Sequence, residues 1–258
     1  MTYLDTPEVR LHVQEVGSGP RTVVLVHGLF ANMALWYFSL ARELAREHRV
    51  VLYDLRGHGL SSRPSRGYGL RSMGADLSAV VAERIDGPFS LVGFSFGAAV
   101  AARYACDHAE RVERLVLIEP PLPMTLSSVE AWLGNLASGA ELVDRMPAPQ
   151  RAAVRGPRRT GRLVQGARDL VSGSSLRRDI EAEPDISDQE LEALRTPVLV
   201  CYGADSPIAG SGTRIRLERL LAQGKHVTLP GGHFLPMDRP EQLASIVGEF
   251  LRIAPKLR

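Results

Sequence analysis

The amino-acid sequence predicts an α/β fold, in which a mostly parallel sheet is covered by helices on both faces. Short apolar runs rich in β-branched residues recur along the chain, and stretches with helical periodicity separate them. This alternation is typical of parallel sheets whose crossover connections are helices. The length of 258 residues and the 45% content of hydrophobic residues fit one such domain with a substantial core.

The individual elements follow from the same signals. Strands are predicted at residues 23–26, 50–53, 89–92, 112–118, 198–202 and 227–229. Helices are predicted at residues 35–47, 70–85, 96–106, 213–223 and 240–253. The opening segment, residues 9–16, alternates apolar and polar side chains, which indicates an edge strand with one face in water.

Beyond the fourth of these strands the pattern changes, because strand-like runs disappear and helix-start signals replace them. Ser127 with Glu130, and Ser187 with Glu190, each have the spacing of a capping box. We therefore expect a helical insertion within a single core, with residues 1–119 and 196–258 forming the core and residues 120–195 forming the insertion.

The middle of the insertion is rich in arginine. Residues 145–178 contain nine arginines and a single acidic residue, Asp169. One interpretation is a solvated helical surface that forms ion pairs with flanking acids. The other is a surface that recognises an anionic substrate or a carrier protein.

Charge and hydropathy exclude several classes of function. A formal net charge of +2 on a mixed surface does not indicate nucleic-acid binding. The first residues lack the pattern of a signal peptide, and the longest apolar stretch, residues 91–102, is too short to span a bilayer. We expect a cytoplasmic protein without a membrane partner. Neither a metal-ligand cluster nor a phosphate-binding glycine loop is recognisable, so no metal or cofactor is expected.

The strongest chemical signal is the segment Gly93-Phe94-Ser95-Phe96-Gly97, which follows an apolar strand and opens a helix of small residues. A sharp strand-to-helix turn exposes its central residue at the carboxyl edge of the sheet, and glycines on either side let the strand and helix approach closely. The context predicts Ser95 as a nucleophile. The helix that follows directs the positive end of its dipole toward it.

A serine hydroxyl needs a base to remove its proton, and a histidine is the usual base. His233 follows the last predicted strand in Gly231-Gly232-His233-Phe234, where a loop can bring its imidazole over Ser95. The other candidates are expected at exposed, packing or structural positions: His12, His48, His58, His108 and His226.

A carboxylate should fix the tautomer of that histidine. Asp205 follows the strand at residues 198–202, at the edge where open α/β sheets build their sites. Glu119 ends the strand at residues 112–118 and is the alternative acid. We predict Asp205 for this role and leave Glu119 as a substitute acid or a residue that lines the site.

Acyl transfer also needs amide donors for the oxyanion. The segment His27-Gly28-Leu29-Phe30 leaves an apolar strand for a loop, which makes the N–H groups of Leu29 and Phe96 the predicted donors. Because these are backbone groups, the side chains of neighbouring residues can line an apolar pocket or pack in the core. The predicted pocket residues next to these turns are Phe30, Phe94 and Phe234.

These segments together resemble the α/β-hydrolase superfamily over nearly the whole chain. The matching motifs are Val26-His27-Gly28-Leu29-Phe30, Tyr53-Asp54-Leu55-Arg56-Gly57-His58-Gly59-Leu60-Ser61, the turn at Ser95, Gly203-Ala204-Asp205 and Gly231-Gly232-His233. The order Ser, acid, His along the chain is also that of this fold. The resemblance implies an eight-stranded, mostly parallel sheet with residues 120–195 as a cap. It further implies that the cap shapes substrate selection, together with Trp36, Met124, Trp132 and Leu133.

The resemblance leaves the reaction open among several hydrolytic activities. The default expectation is hydrolysis of a carboxylic ester or lactone of an apolar acyl group through an acyl-enzyme. A thioesterase acting on acyl chains carried by coenzyme A or a carrier protein is the alternative that would use the cap arginines, and a carbon–carbon bond hydrolase is another. A ligand receptor with the same fold is the non-enzymatic alternative.

Overall fold

The computed structural model describes residues 2–125, 157–183, 186–207 and 212–253. Within these residues the strands are β1 Thr2–Asp5, β2 Arg10–Val16, β3 Arg21–Val26, β4 His48–Tyr53, β5 Phe89–Phe94, β6 Val112–Ile118, β7 Val198–Gly203 and β8 Lys225–Leu229. They form one eight-stranded sheet in the order β1-β2-β4-β3-β5-β6-β7-β8. The first two pairings, β1 with β2 and β2 with β4, are antiparallel, and the remaining pairings are parallel.

The helices of the described residues lie between these strands. Their bounds are α1 Ala34–Tyr37, α2 Ala41–Leu44, α3 Leu70–Arg84, α4 Phe96–Asp107, α5 Pro157–Gly173, α6 Leu176–Ala182, α7 Asp188–Ala193, α8 Thr213–Leu220, α9 Leu235–Asp238 and α10 Pro240–Arg252. The predicted α/β class and the eight-stranded, mostly parallel sheet are confirmed. No helix of the described ranges has the length and apolarity needed to cross a membrane.

The core consists of two apolar layers, one on each face of the sheet. Successive residues of a strand point to opposite faces, so Val24 packs in the layer that contains α3 and α4. Its neighbour Val23 packs in the layer that contains α1, α2 and α10. Every residue of β5 and of β7 is buried. The centre of the sheet is therefore a rigid platform for residues at the strand ends.

Two local predictions were wrong. The segment expected as one helix at residues 35–47 consists of two short helices, because Ser39 breaks the run. Its amide donates to Trp36 O at 3.1 Å and its hydroxyl donates to Leu35 O at 2.9 Å, which replaces the regular helical pattern. The expected edge strand is interior, since β2 is paired on one side with β1 and on the other with β4.

Two histidines expected at exposed positions are buried. His12 lies in β2, and its Nδ1 is 2.9 Å from Asp54 Oδ2. His48 begins β4, and its Nδ1–H donates to Leu44 O at 3.2 Å. Burial lowers the pKa of His48. Each of these buried imidazoles has a polar partner, as buried polar groups require.

The described part of residues 120–195 contains the helices α5, α6 and α7 and no strand. The capping box at Ser187 and Glu190 is present at the start of α7. The other predicted capping box, at Ser127 and Glu130, lies outside the described residues. The same is true of Arg145, Arg151 and Arg155. The boundaries of the insertion stay a prediction.

Carboxylates of α6 and of the residue that follows it attach this region to the core. Asp179 Oδ2 accepts the N–H groups of Gly67 at 3.1 Å and Tyr68 at 2.8 Å. Glu183 Oε2 accepts the N–H of Arg71 at 3.1 Å, in the first turn of α3. The bond to Arg71 satisfies an amide that a helix start leaves without an intrahelical acceptor, and the other two bonds fix α6 to the loop before α3.

A buried ion pair joins the loop after β4 to helix α3. Arg56 is bound by both oxygens of Asp76, with Nε–Oδ2 and Nη2–Oδ1 distances of 2.6 Å. Their side chains are 2% and 3% exposed. Such a pair is sensitive to the loss of one partner, because the other charge is then buried without compensation.

We expect Asp76→Ala to lower the free energy of unfolding by about 3–5 kcal/mol, because it strands the Arg56 guanidinium in the core. The control is Glu43→Gln, which breaks the exposed pair with Arg46 and should change stability by no more than about 0.5 kcal/mol. Urea denaturation of both variants measures the difference. Equal losses in the two would contradict the interpretation of the buried pair.

Candidate active site

Ser95 lies at the strand-to-helix turn between β5 and α4. Its backbone has φ 52° and ψ −124°, a strained conformation for a residue with a side chain. The flanking glycines are required by space. A Cβ on Gly93 would collide with the backbone of Gly97 and Ala98, and one on Gly97 with the backbone of Val26. The turn at Ser95 therefore has the strained backbone and the close strand-to-helix packing that the sequence predicts.

The structure brings His233 against Ser95, as the sequence predicts. The imidazole lies in the loop after β8, and its Nε2 is 2.9 Å from Ser95 Oγ. Its Nδ1 is 3.0 Å from Glu119 Oε2. A carboxylate oxygen accepts hydrogen bonds, so Nδ1 carries the proton and Nε2 accepts from the serine hydroxyl. This arrangement can transfer the serine proton to the imidazole.

Glu119 follows the last residue of β6 and is fully buried, with 0% of its surface exposed. Its φ of 53° turns the chain sharply at the sheet edge, while its N–H still donates to Cys201 O at 2.8 Å. One carboxylate oxygen, Oε1, accepts the N–H of Gly203. The other, Oε2, accepts the hydroxyl of Ser206 as well as the imidazole.

Asp205 does not occupy the position predicted for it. Its side chain is exposed, and the structure places Glu119 at the imidazole in its stead. The reason lies in the backbone: Ala204 N–H donates to Leu229 O at 2.8 Å, and Asp205 N–H to Gly231 O at 2.9 Å. These bonds hold the turn after β7 so that residue 205 faces solvent and residue 206 faces the interior. The assignment of Asp205 as the orienting acid does not fit this geometry, and the alternative named from the sequence, Glu119, does.

The predicted oxyanion donors lie at the ends of β3 and β5. Phe96 is the first residue of α4, so its N–H has no acceptor within the helix. Phe30 has φ 61°, and its N–H donates to His58 Nε2 at 3.0 Å. Within the described part of the chain, the N–H of Leu29 has no protein acceptor. Leu29 and Phe96 thus retain amides that can bind a ligand.

Two buried histidines hold the loop that carries Leu29. His27 Nδ1–H donates to Gly28 O at 2.8 Å, and its Nε2 accepts the N–H of Leu55 at 3.0 Å. His58 Nδ1–H donates to Arg56 O at 2.8 Å. In both rings one nitrogen donates and the other accepts, which is the pattern of a neutral imidazole. Burial lowers the pKa of His27, and burial together with the neighbouring His27 lowers the pKa of His58 to about 3.

Asp54 is a residue beneath the site whose position sequence reasoning did not single out. Its carboxylate accepts the N–H groups of Met33 at 2.8 Å and Leu60 at 2.9 Å, and it contacts His12. It therefore ties the loop after β3 to the loop after β4. A signal existed in the sequence, because Asp54 stands in the Tyr53–Ser61 motif that carries the family resemblance. In the structure Gly59 of that motif adopts φ 51°, and a Cβ there would collide with the Asp54 carboxylate.

The predicted pocket residues are placed differently from one another. Phe94 and Phe234 lie beside the imidazole, with ring centroids 5.3 Å and 5.8 Å from that of His233. Phe30 and Met124 are partly buried and pack against the core layer of α3 and α4. Trp36 is fully buried in the layer that contains α1, α2 and α10, together with Phe94. Trp132 and Leu133 lie outside the described residues. No group of three metal-ligating side chains occurs among the residues that the structure describes.

Comparison with known proteins agrees with this architecture. A family model for the alpha/beta hydrolase fold matches residues 21–166. The chain is similar to a putative non-heme chloroperoxidase from Synechocystis sp., with 27% identity over 265 residues that cover 95% of each chain. It is 28% identical to a pimeloyl-(acyl-carrier protein) methyl ester esterase from Nitrosomonas europaea, covering 91% of this chain and 97% of the relative. An esterase structure from Thermogutta terrifontis superposes with a TM-score of 0.76 at 25% identity, over 99% of this chain and 98% of that one.

The buried His58 predicts a loss of stability in acid. The folded state keeps this imidazole neutral down to about pH 3, whereas the unfolded chain takes up the proton at the ordinary pKa of 6.5. The contribution is fully present above pH 6.5 and is lost as the pH falls toward 3, at up to about 1.4 kcal/mol per pH unit. Denaturant titrations from pH 7 to 4 measure the slope, and His58→Gln should reduce it. An NMR titration in which the His58 ring protonates near pH 6 would contradict this account.

Proposed function

The chain belongs to the alpha/beta hydrolase family, and we propose that it is a serine hydrolase that cleaves carboxylic esters of apolar acyl groups. The observation that carries the proposal is the continuous hydrogen-bonded line from Ser95 Oγ through His233 to Glu119, with distances of 2.9 and 3.0 Å. Nucleophile, base and orienting acid are the three roles that such a line supplies.

The reaction begins when Ser95 Oγ attacks the ester carbonyl and His233 Nε2 takes the hydroxyl proton. Glu119 accepts the Nδ1–H and stabilises the imidazolium that forms. The imidazolium then gives its proton to the leaving alcohol, and the carbon–oxygen bond of the ester breaks to leave an acyl-enzyme. A water molecule activated by the same imidazole hydrolyses this intermediate and regenerates Ser95.

The negative charge that develops on the carbonyl oxygen is bound by the N–H groups of Leu29 and Phe96. Phe96 opens α4, and Leu29 lies in a loop held by hydrogen bonds to His27, His58 and Asp54. Both amides are therefore oriented before the substrate arrives, which is the condition for strong electrostatic stabilisation. Removal of one such donor typically costs about 100- to 1000-fold in rate. His58 and Asp54 support this function indirectly, because they fix the loop that presents Leu29.

The apolar surroundings of the serine favour an apolar acyl group. The rings of Phe94 and Phe234 lie beside the imidazole, with centroids 5.3 Å and 5.8 Å from that of His233. Phe30 and Met124 are partly buried against the core layer of α3 and α4. The relative from Nitrosomonas europaea is by name a methyl ester esterase, and the Thermogutta terrifontis protein is by name an esterase. Esters with apolar acyl chains of graded length are therefore the first substrates to test.

We expect Ser95→Ala to abolish both ester hydrolysis and labelling by a fluorophosphonate probe, because both need the same activated hydroxyl. Intact-mass spectrometry of the two proteins measures the labelling, and p-nitrophenyl esters measure turnover. Multiple turnovers by the wild type separate an enzyme from a slow receptor. A Ser95→Ala protein that still labels at full stoichiometry would falsify the nucleophile assignment.

The acid is tested by a matched pair of carboxamide variants. Glu119→Gln should lower kcat by about 10⁴-fold, since an amide no longer favours the required tautomer or stabilises the imidazolium. Asp205→Asn should change kcat less than about threefold, because the exposed side chain makes no contact with the imidazole. The reverse ranking of the two variants is the result that would return the role to Asp205.

A further inference from the structure

We propose that Ser206 is a positioning residue that fixes the Glu119 carboxylate for catalysis, an inference that rests on the proposed serine-hydrolase function. The serine is 5% exposed, and its hydroxyl donates to Glu119 Oε2. This is the same oxygen that accepts Nδ1–H from His233. The Ser206 hydroxyl acts on the carboxylate that orients the imidazole, so its effect on the reaction passes through Glu119.

The backbone after β7 aims the Ser206 hydroxyl at this point. Ser206 N–H donates to Gly203 O at 3.1 Å, which closes a tight turn over residues 203–206. The two residues inside the turn are held from the other side, because their N–H groups donate to Leu229 O and Gly231 O. Because these backbone hydrogen bonds fix the turn, they also fix the direction of the Ser206 side chain, which points into the interior.

Gly203 contributes a second contact to the same carboxylate. Its N–H donates to Glu119 Oε1, so each oxygen has a donor from the turn. A side chain at this position is excluded, because a Cβ would collide with the backbone of Gly231 and Gly232. The close approach of β7 to the histidine loop therefore brings donor, carboxylate and imidazole together.

A glutamate needs such support more than an aspartate does. Its side chain has one more rotatable bond, and freezing that freedom costs conformational entropy that the hydrogen bonds must offset. A fully buried carboxylate also requires donors in place of the water it has lost. Ser206 supplies one of these donors at the oxygen that faces the imidazole, so it sets both the rotation of the carboxylate and the charge on that oxygen.

The test compares kcat, KM and one proton resonance in a set of serine variants. We expect Ser206→Ala to lower kcat about tenfold with KM unchanged, since a hydrogen bond to a charged group is lost away from the substrate. Ser206→Thr keeps the hydroxyl and should stay within about threefold of the parent. Ser206→Cys keeps the volume with a weak donor and should resemble Ser206→Ala, which provides a second measurement if the alanine variant fails to fold.

The spectroscopic readout is the low-field Nδ1–H resonance of His233 in the fluorophosphonate adduct. Loss of the Ser206 hydroxyl leaves more negative charge on Oε2, so this resonance should move downfield in Ser206→Ala and return in Ser206→Thr. Ser39→Ala is the control, because Ser39 is a similarly buried serine whose hydroxyl donates to Leu35 O. It should leave kcat and the resonance unchanged.

The outcomes separate this inference from the proposed function. If Ser95→Ala and Glu119→Gln are inactive while Ser206→Ala and Ser206→Cys keep the parent kcat and resonance, the positioning role is overturned and the hydrolase assignment stands. If Ser95→Ala keeps activity, the proposed function fails before Ser206 is considered. A fall in kcat with an unmoved resonance also overturns the proposal, because it indicates a general structural effect.

Discussion

The site depends on a backbone constraint at the carboxyl edge of the sheet. Three residues other than glycine have positive φ among those described, namely Phe30, Ser95 and Glu119, and all three belong to this edge. Each such conformation costs about 1–3 kcal/mol and persists where its surroundings determine it. Here the amides of Ser95 and Glu119 donate to carbonyls of the next strand, and the amide of Phe30 donates to His58. The fully buried strands β5 and β7 supply the rigidity that keeps the strained turns in place.

Beneath that edge, buried charged groups and histidines are each held by more than one hydrogen bond. Asp54, Glu119 and the Arg56–Asp76 pair are buried charged groups, and each has several partners in fixed geometry. The histidines His27 and His58 are neutral members of the same interior, since each donates from one ring nitrogen and accepts at the other. Burying any of these groups without a hydrogen-bond partner would destabilise the folded state. The loops at the site are thus ordered by polar contacts, while the sheet below them is ordered by apolar packing.

Local sequence patterns predicted most of the fold and part of the site. Apolar runs located the central strands because both faces of those strands are buried, and the Gly-flanked turn located Ser95 because close packing leaves no room for a Cβ at Gly93 or Gly97. His233 followed from its place after the last strand. Local patterns could not decide which acid contacts the histidine, since Glu119 and Asp205 both follow parallel strands. Asp205 faces solvent because the turn that carries it is held by backbone hydrogen bonds to Leu229 and Gly231, which are distant in the sequence. The pocket role of Trp36 rests on the family resemblance alone, and its side chain is fully buried beside the helices α1, α2 and α10.

The position of Glu119 directly after β6 has a consequence for how an acid at this edge of the sheet is recognised. Neighbouring parallel strands lie about 4.8 Å apart, so side chains that leave β6 and β7 can reach one point beside the imidazole. A carboxylate after either strand can therefore reach that point only if its own turn directs the side chain inward. The place of an acid along the sequence does not identify its partner until the direction of its side chain is known. In this chain the turn after β6 directs Glu119 into the interior, and the turn after β7 directs Asp205 to the surface.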